Sequence, residues 1–150
     1  MKLVVQRVSH ASVTVEGEIV GKINEGLMIL IGAKKGDTEK DVEYCVEKAL
    51  NLRIFTDEND KMNLSVKDIQ GELLLISQFT LYGDTSHGRR PSFIEAEEPE
   101  HANELYELFI EKAKESGLKV EKGIFGADMK VELLNNGPVT LILESPEKKI

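Results

Sequence analysis

Ser77, Gln78, Phe79 and Thr80 bring two hydroxyls, a carboxamide and a run of backbone N–H groups to the end of an apolar segment, Leu73-Leu74-Leu75-Ile76. A strand exit can hold such groups rigidly around a reacting atom, because the strand anchors one end while the loop opens the other. A hydroxyl nucleophile needs a base, and His10, His87 and His101 are the histidines available. None stands at ligand or catalytic spacing, and the chain holds no GxSxG elbow, HExxH pair, Walker loop or dinucleotide glycine loop. Each histidine reads better as a surface residue. Without a base, the chemistry left to this segment is electrostatic. Backbone N–H groups of Gln78 and Phe79 can stabilise an oxyanion with no titratable side chain. The plainer alternative is a strand that ends in a polar loop.

Asn136-Gly137-Pro138 is the second informative segment. Glycine tolerates backbone conformations closed to other residues, and X–Pro is the bond that takes cis readily. On spacing alone the segment reads as a hairpin turn between Val131–Leu134 and Val139–Leu143. A functional reading makes it a rigid pair of carbonyls shown to a ligand.

The elements that must position these residues follow from periodicity. Leu3 to Val8 and Ser12 to Val20 read as strands, with a turn at Glu16-Gly17. The continuous run Leu27-Met28-Ile29-Leu30-Ile31 suits a strand covered on both faces. Val42, Cys45, Val46, Ala49 and Leu50 fall on one stripe of a helix capped by Asp37 or Thr38. Cys45 lies on that stripe and reads as a small core residue. A second helix starts near Pro99, buries Ala102, Leu105, Tyr106, Phe109, Ile110 and Ala113, and ends by Gly117. Ser145 to Ile150 is a charged tail. The expected fold is α/β: mixed β-sheet layers with two main helices packed on one side, in a single domain over residues 1–150.

Composition narrows the function classes. A formal net charge of −8 argues against a broad basic face for polyanions and leaves room only for a small, placed contact with RNA. One cysteine excludes an internal disulfide and a Cys-based zinc cluster. The first apolar run breaks at Gln6-Arg7, and nothing approaches a membrane span, so a cytoplasmic protein with no membrane partner is expected.

Six segments in order carry a resemblance that covers essentially the whole chain: Gln6-Arg7-Val8, Lys61-Met62-Asn63-Leu64-Ser65, Ser77-Gln78-Phe79-Thr80-Leu81, Gly88-Arg89-Arg90-Pro91-Ser92-Phe93, Phe125-Gly126-Ala127-Asp128-Met129 and Asn136-Gly137-Pro138-Val139-Thr140. Together they resemble the D-aminoacyl-tRNA deacylases, formerly D-tyrosyl-tRNA deacylases. The resemblance implies hydrolysis of the ester between a D-amino acid, or glycine, and the tRNA 3′ end. It implies a homodimer with active sites at the subunit interface, where a cis Gly137-Pro138 reaches into the partner and excludes L side chains. Arg7 would fix that pair, and Ser77, Gln78, Phe79 and Thr80 would line the site. Ala102, Phe125 and Met129 match positions around the terminal adenosine. Water would be assisted by the substrate's own 2′-hydroxyl, with no cofactor and no metal. Gly83, Ser86-His87 and Asn136 depart from the common pattern. The other classes in play are a non-catalytic aminoacyl-tRNA or RNA 3′-end binding module, and a small-ester hydrolase using Ser77.

Overall fold

In a computed structural model, which describes residues 1–147, the described residues form eight strands and two α-helices. Strands β1 (Lys2–Val15), β2 (Glu18–Ile23), β3 (Gly26–Gly32), β6 (Glu72–Ser77) and β7 (Val120–Lys122) make one mixed sheet in the order β2-β1-β3-β6-β7. Strand β8 (Lys130–Glu144) pairs along the free side of β1, and β4 (Phe55–Thr56) with β5 (Met62–Leu64) forms a separate ribbon. Helices α1 (Glu39–Asn51) and α2 (Pro99–Lys114) lie together against one face. Of the charged tail from Ser145 to Ile150, residues 148–150 lie outside the described residues.

Alternation explains the layering. Leu27, Ile29 and Ile31 of β3, with Leu73 and Leu75 of β6, join the helices in the larger core. Met28 of β3 and Leu74 and Ile76 of β6 point the other way, into a second core with Val8, Ala11 and Val13 of β1 and Ile23 of β2. The distal half of β1 and its partners therefore fold over the sheet's second face. Lys22 N–H of β2 donates to the Glu121 carboxylate of β7 at 3.2 Å, which ties the layers at their edge. Strands β3 and β6 are parallel and buried on both faces, which is why their sequences are unbroken apolar runs.

Helix α1 starts at Thr38, whose N–H donates to the Asp41 carboxylate at 2.8 Å, so Thr38 is the N-cap. Cys45 is fully buried, and burial pushes its thiol up to about 12. In α2, the Tyr106 hydroxyl donates to the Leu75 carbonyl at 2.6 Å and pins the helix to β6.

Two expectations are corrected. Residues 2–15 are one strand, not two, and the turn at Glu16-Gly17 is present with both residues at positive φ (50° and 79°). The hairpin reading of Asn136-Gly137-Pro138 fails: Val131–Leu134 and Val139–Leu143 do not pair with each other. Both pair with β1, and Asn136-Gly137-Pro138 is an interruption inside a single long strand.

Candidate active site

The chain of β6 ends at Ser77 and turns at once into a short 3₁₀ segment, Phe79–Tyr82. Gln78 is held at that corner, because its N–H donates to the Ile31 carbonyl of β3 at 2.7 Å. That bond overturns the expectation that Gln78 and Phe79 would be the free donor pair. The Gln78 N–H is spent on the sheet, whereas the N–H groups of Phe79 and Thr80 donate to no group among the described residues. They are the free donors at the strand exit. The Gln78 side chain donates from Nε2 to the Thr80 hydroxyl at 2.6 Å, bracing the turn that aims them.

Ser77, Gln78 and Phe79 form one wall of a cleft of about 690 Å³. Ala102 at the start of α2, and Phe125 and Met129 between β7 and β8, lie around the same space. These sequence-selected residues are thus brought together. Phe125 also stacks, tilted, 6.2 Å from the Tyr106 ring, so the floor is aromatic and fixed. A space of this size with aromatic and aliphatic walls suits a nucleoside.

Sequence reasoning missed the outer wall. Lys35 N–H donates to the Glu95 carbonyl, and Glu97 N–H to the Ala33 carbonyl, at 2.9 and 3.0 Å. These bonds lay residues 95–97 along the loop after β3. The Glu97 carboxylate then accepts from Glu98 N–H at 2.9 Å and from Gly36 N–H at 3.2 Å, with His101 Nδ1 at 3.0 Å. Burial opposes ionisation of Glu97, but these donors outweigh it and hold its carboxyl below the usual range. The hydrogen bond to Glu97 raises His101 in turn. Phe93, also missed, meets Phe79 edge-on with ring centroids 5.1 Å apart. Loop acids and one aromatic after a Gly-Arg-Arg-Pro turn carry no periodic signal, so nothing in the sequence marks them as cleft residues.

Thr80, Arg7, Gly137 and Pro138 are not part of this cleft. The Gly137-Pro138 bond is cis, Gly137 has φ 130°, and both residues are exposed. Register explains their protrusion. Gln6 pairs with Thr140 and Val8 with Asn135, so residues 136–139 stand opposite Arg7 alone. Arg7 Nε donates to the Asn136 carbonyl at 3.0 Å and Nη1 to the Ile54 carbonyl at 2.8 Å. A β-carbon on Gly137 would lie 2.9 Å from Arg7 Nη2. Asn135 closes the bulge, accepting from Val139 N–H at 3.2 Å and donating to the Thr140 hydroxyl at 2.8 Å. Asn135 was another residue the sequence did not single out.

Neither the Ser77 nor the Thr80 hydroxyl has a histidine or carboxylate hydrogen-bonded to it among the described residues. No group of three or more metal-type ligands occurs among them either. The cleft offers donors and apolar walls, not a nucleophile with its base.

The model of the family described as D-Tyr-tRNA(Tyr) deacylase matches residues 4–144. The chain belongs to that family. It is 60% identical over 147 residues to a D-aminoacyl-tRNA deacylase of Aquifex aeolicus (strain VF5), covering 98% of this chain and 99% of the relative. It is 61% identical over 145 residues to one of Clostridium botulinum (strain Alaska E43 / Type E3), covering 97% of each. Among solved structures, the c-Myc DNA Unwinding Element Binding Protein superposes with TM-score 0.92 at 45% identity, covering 98% of this chain and 100% of that one. A probable eukaryotic D-amino acid tRNA deacylase matches at TM-score 0.81 and 17% identity, over 95% and 98%; that likeness speaks to the fold alone. Family membership makes the chain a hydrolase acting on ester bonds.

Proposed function

We propose that this chain removes D-amino acids, and glycine, from the 3′ end of tRNA, working as a homodimer in the cytoplasm. The observation that carries the reading is the pair of free N–H groups at Phe79 and Thr80, beside a nucleoside-sized cleft with aromatic and aliphatic walls. The terminal adenosine occupies the cleft against Phe125, Met129 and Ala102. Its ester carbonyl then faces the turn, where the two N–H groups take up the negative charge that develops as water adds to the carbonyl carbon. Donors fixed by the β3–β6 pairing need no reorganisation at that moment. No side-chain base is at hand, so the ribose 2′-hydroxyl beside the ester orients and activates the water, and the proton the water gives up passes to the departing ribose 3′-oxygen as the C–O bond breaks.

Chirality is set by exclusion. Gly137 and Pro138 stand away from their own chain's cleft, on a bulge braced by Arg7 and Asn135. In the proposed dimer they enter the partner's cleft, where their carbonyls receive the substrate ammonium and their atoms fill the space an L side chain would need. A rigid bulge suits this role because rejection by collision fails if the obstacle yields.

A binding module without catalysis is the competing reading, and the name of one structural neighbour refers to DNA. With a net charge of −8, this chain offers duplex nucleic acid no broad basic face. The deciding experiment presents purified protein with D-tyrosyl-tRNA and L-tyrosyl-tRNA. Release of D-tyrosine alone is expected; equal rates would remove the chirality claim, and binding without release would favour the module.

A further inference from the structure

Just outside the cleft, residues 84–92 form a hairpin that the hydrolysis itself does not use. Asp84 N–H donates to the Ser92 carbonyl at 2.7 Å, and Ser92 N–H returns to the Asp84 carbonyl at 2.9 Å. The hairpin base is tied directly to the catalytic turn, since Gly83 N–H donates to the Thr80 carbonyl at 2.9 Å. Phe93, the next residue, packs on Phe79. Within the hairpin the Asp84 carboxylate accepts from the hydroxyl and the N–H of Ser86, at 2.6 and 2.9 Å, which holds its carboxyl below the usual range and occupies it locally.

The tip carries His87, Arg89 and Arg90, all exposed. Neither arginine has an acidic partner among the described residues. The other charged residues at the cleft are mostly acidic: Glu97, Glu98 and Asp128 line it beside a single Lys35, and Glu95 and Glu100, neighbours of the lining residues in sequence, are exposed. A polyanion approaching this site is attracted by the hairpin arginines and repelled by these carboxylates.

We infer that the 84–92 hairpin grips the first backbone phosphates behind the terminal adenosine, so that the acceptor strand enters over Arg89 and Arg90 and not over the start of α2. This deepens the deacylase reading and rests on it. Four residues separate the hairpin base from its tip, a reach of at most about 14 Å. At ~3.4 Å per stacked nucleotide that span covers about four nucleotides. The contact therefore falls on the single-stranded end and needs no duplex. Arginine suits it, because the guanidinium fork matches phosphate oxygens. The arrangement lets an acidic protein capture RNA with one small basic feature, and the rigid connection to Phe79 and Thr80 sets the register of the ester against its donors.

The test compares two substrates, D-tyrosyl-tRNA and the phosphate-free 3′-D-tyrosyl adenosine, on the wild type and on an Arg89→Ala/Arg90→Ala variant. With tRNA, the variant's KM should rise about tenfold with kcat nearly unchanged. Its log–log dependence on salt should flatten by about 1.4, the loss expected for two single-strand phosphate contacts. Rates on the adenosine ester should stay at the wild-type level, which also shows that the variant folds. An Arg89→Lys/Arg90→Lys variant should recover most of the salt dependence. Unchanged KM and salt slope with tRNA would overturn the proposal, as would equal losses on both substrates. Failure of the wild type to release D-tyrosine from either substrate would instead overturn the deacylase reading, and the proposal with it.

Discussion

Arg7 donates from Nε to the Asn136 carbonyl at 3.0 Å, from the one β1 position that stands opposite the bulge in β8. Its second anchor, the carbonyl of buried Ile54, lies at 2.8 Å. Arg7→Ala leaves that carbonyl without its charged donor, a cost of about 1–3 kcal/mol by urea unfolding. The bulge also loses its brace. The ratio of D- to L-tyrosyl-tRNA hydrolysis should fall at least about tenfold, equivalent to ~1.4 kcal/mol of discrimination. Retained discrimination in Arg7→Ala would show that the bulge holds its shape unaided.

Gly137 combines φ 130° with close neighbours, since an added β-carbon would lie 2.9 Å from both Arg7 Nη2 and a Val139 methyl. Gly137→Ala places an L side chain at a φ it rarely adopts and makes Arg7 or Val139 give way, so the bulge and its arginine brace are both disturbed. Deacylation should drop on the order of 10²-fold, as expected for a misplacement of about 1 Å. An L residue at φ 130° is strained, so stability should also fall by about 1–3 kcal/mol in urea unfolding; deacylation that stays at the wild-type rate in the folded variant would take the bulge out of the site.

Thr80 separates side-chain from backbone chemistry. Thr80→Val removes the hydroxyl that accepts from Gln78 Nε2 and keeps the N–H, so activity should remain within about tenfold of wild type. Thr80→Pro removes the N–H near the start of a 3₁₀ segment, where proline's fixed φ is tolerated. That change should cost roughly 10²–10³ in kcat. An acyl group trapped on Thr80 by acid quench, or collapse of Thr80→Val, would make the hydroxyl a nucleophile.

The Glu97–His101 pair predicts a pH dependence at the outer wall. The hydrogen bond to Glu97 lifts His101 above its ordinary 6.5, so its contribution is complete below 6.5 and disappears as pH rises through the raised folded value. Burial works against Glu97, but its hydrogen bonds prevail and lower it from 4.5, so its contribution is present above 4.5 and is lost as pH falls through the depressed value. The pair is therefore strongest between about pH 4.5 and 6.5. NMR titration should place the His101 midpoint above 6.5, and Glu97→Gln should bring it down. An unchanged midpoint in that variant would remove Glu97 as the cause.

Much of the scaffold is legible in the sequence. The helical stripe through Val42, Cys45, Val46, Ala49 and Leu50 and the apolar run of β3 each have one physical solution. The partner of a strand is a different matter. Alternation on either side of residues 135–138 is the same whether the chain reverses there or continues along a third strand, and local pattern does not distinguish these. Only the length of β1, which spans both layers, makes the continuous β8 possible. Likewise, the loss of the Gln78 N–H to Ile31 depends on the parallel β3–β6 register running one residue past the strand. Ser77, Gln78, Phe79, Ala102, Phe125 and Met129, singled out in the sequence, line one cleft. Which of their atoms are free was not legible there.

The bulge at Gly137-Pro138 and the cleft at Phe79 belong to one polypeptide but, on the proposed dimer, never to one catalytic unit. Damage to the two should then complement instead of accumulate. A subunit spoiled only at Gly137 still owns an intact cleft, and one spoiled only at Thr80 still owns an intact bulge. Mixed in one dimer, two inactive proteins would rebuild one working centre out of two.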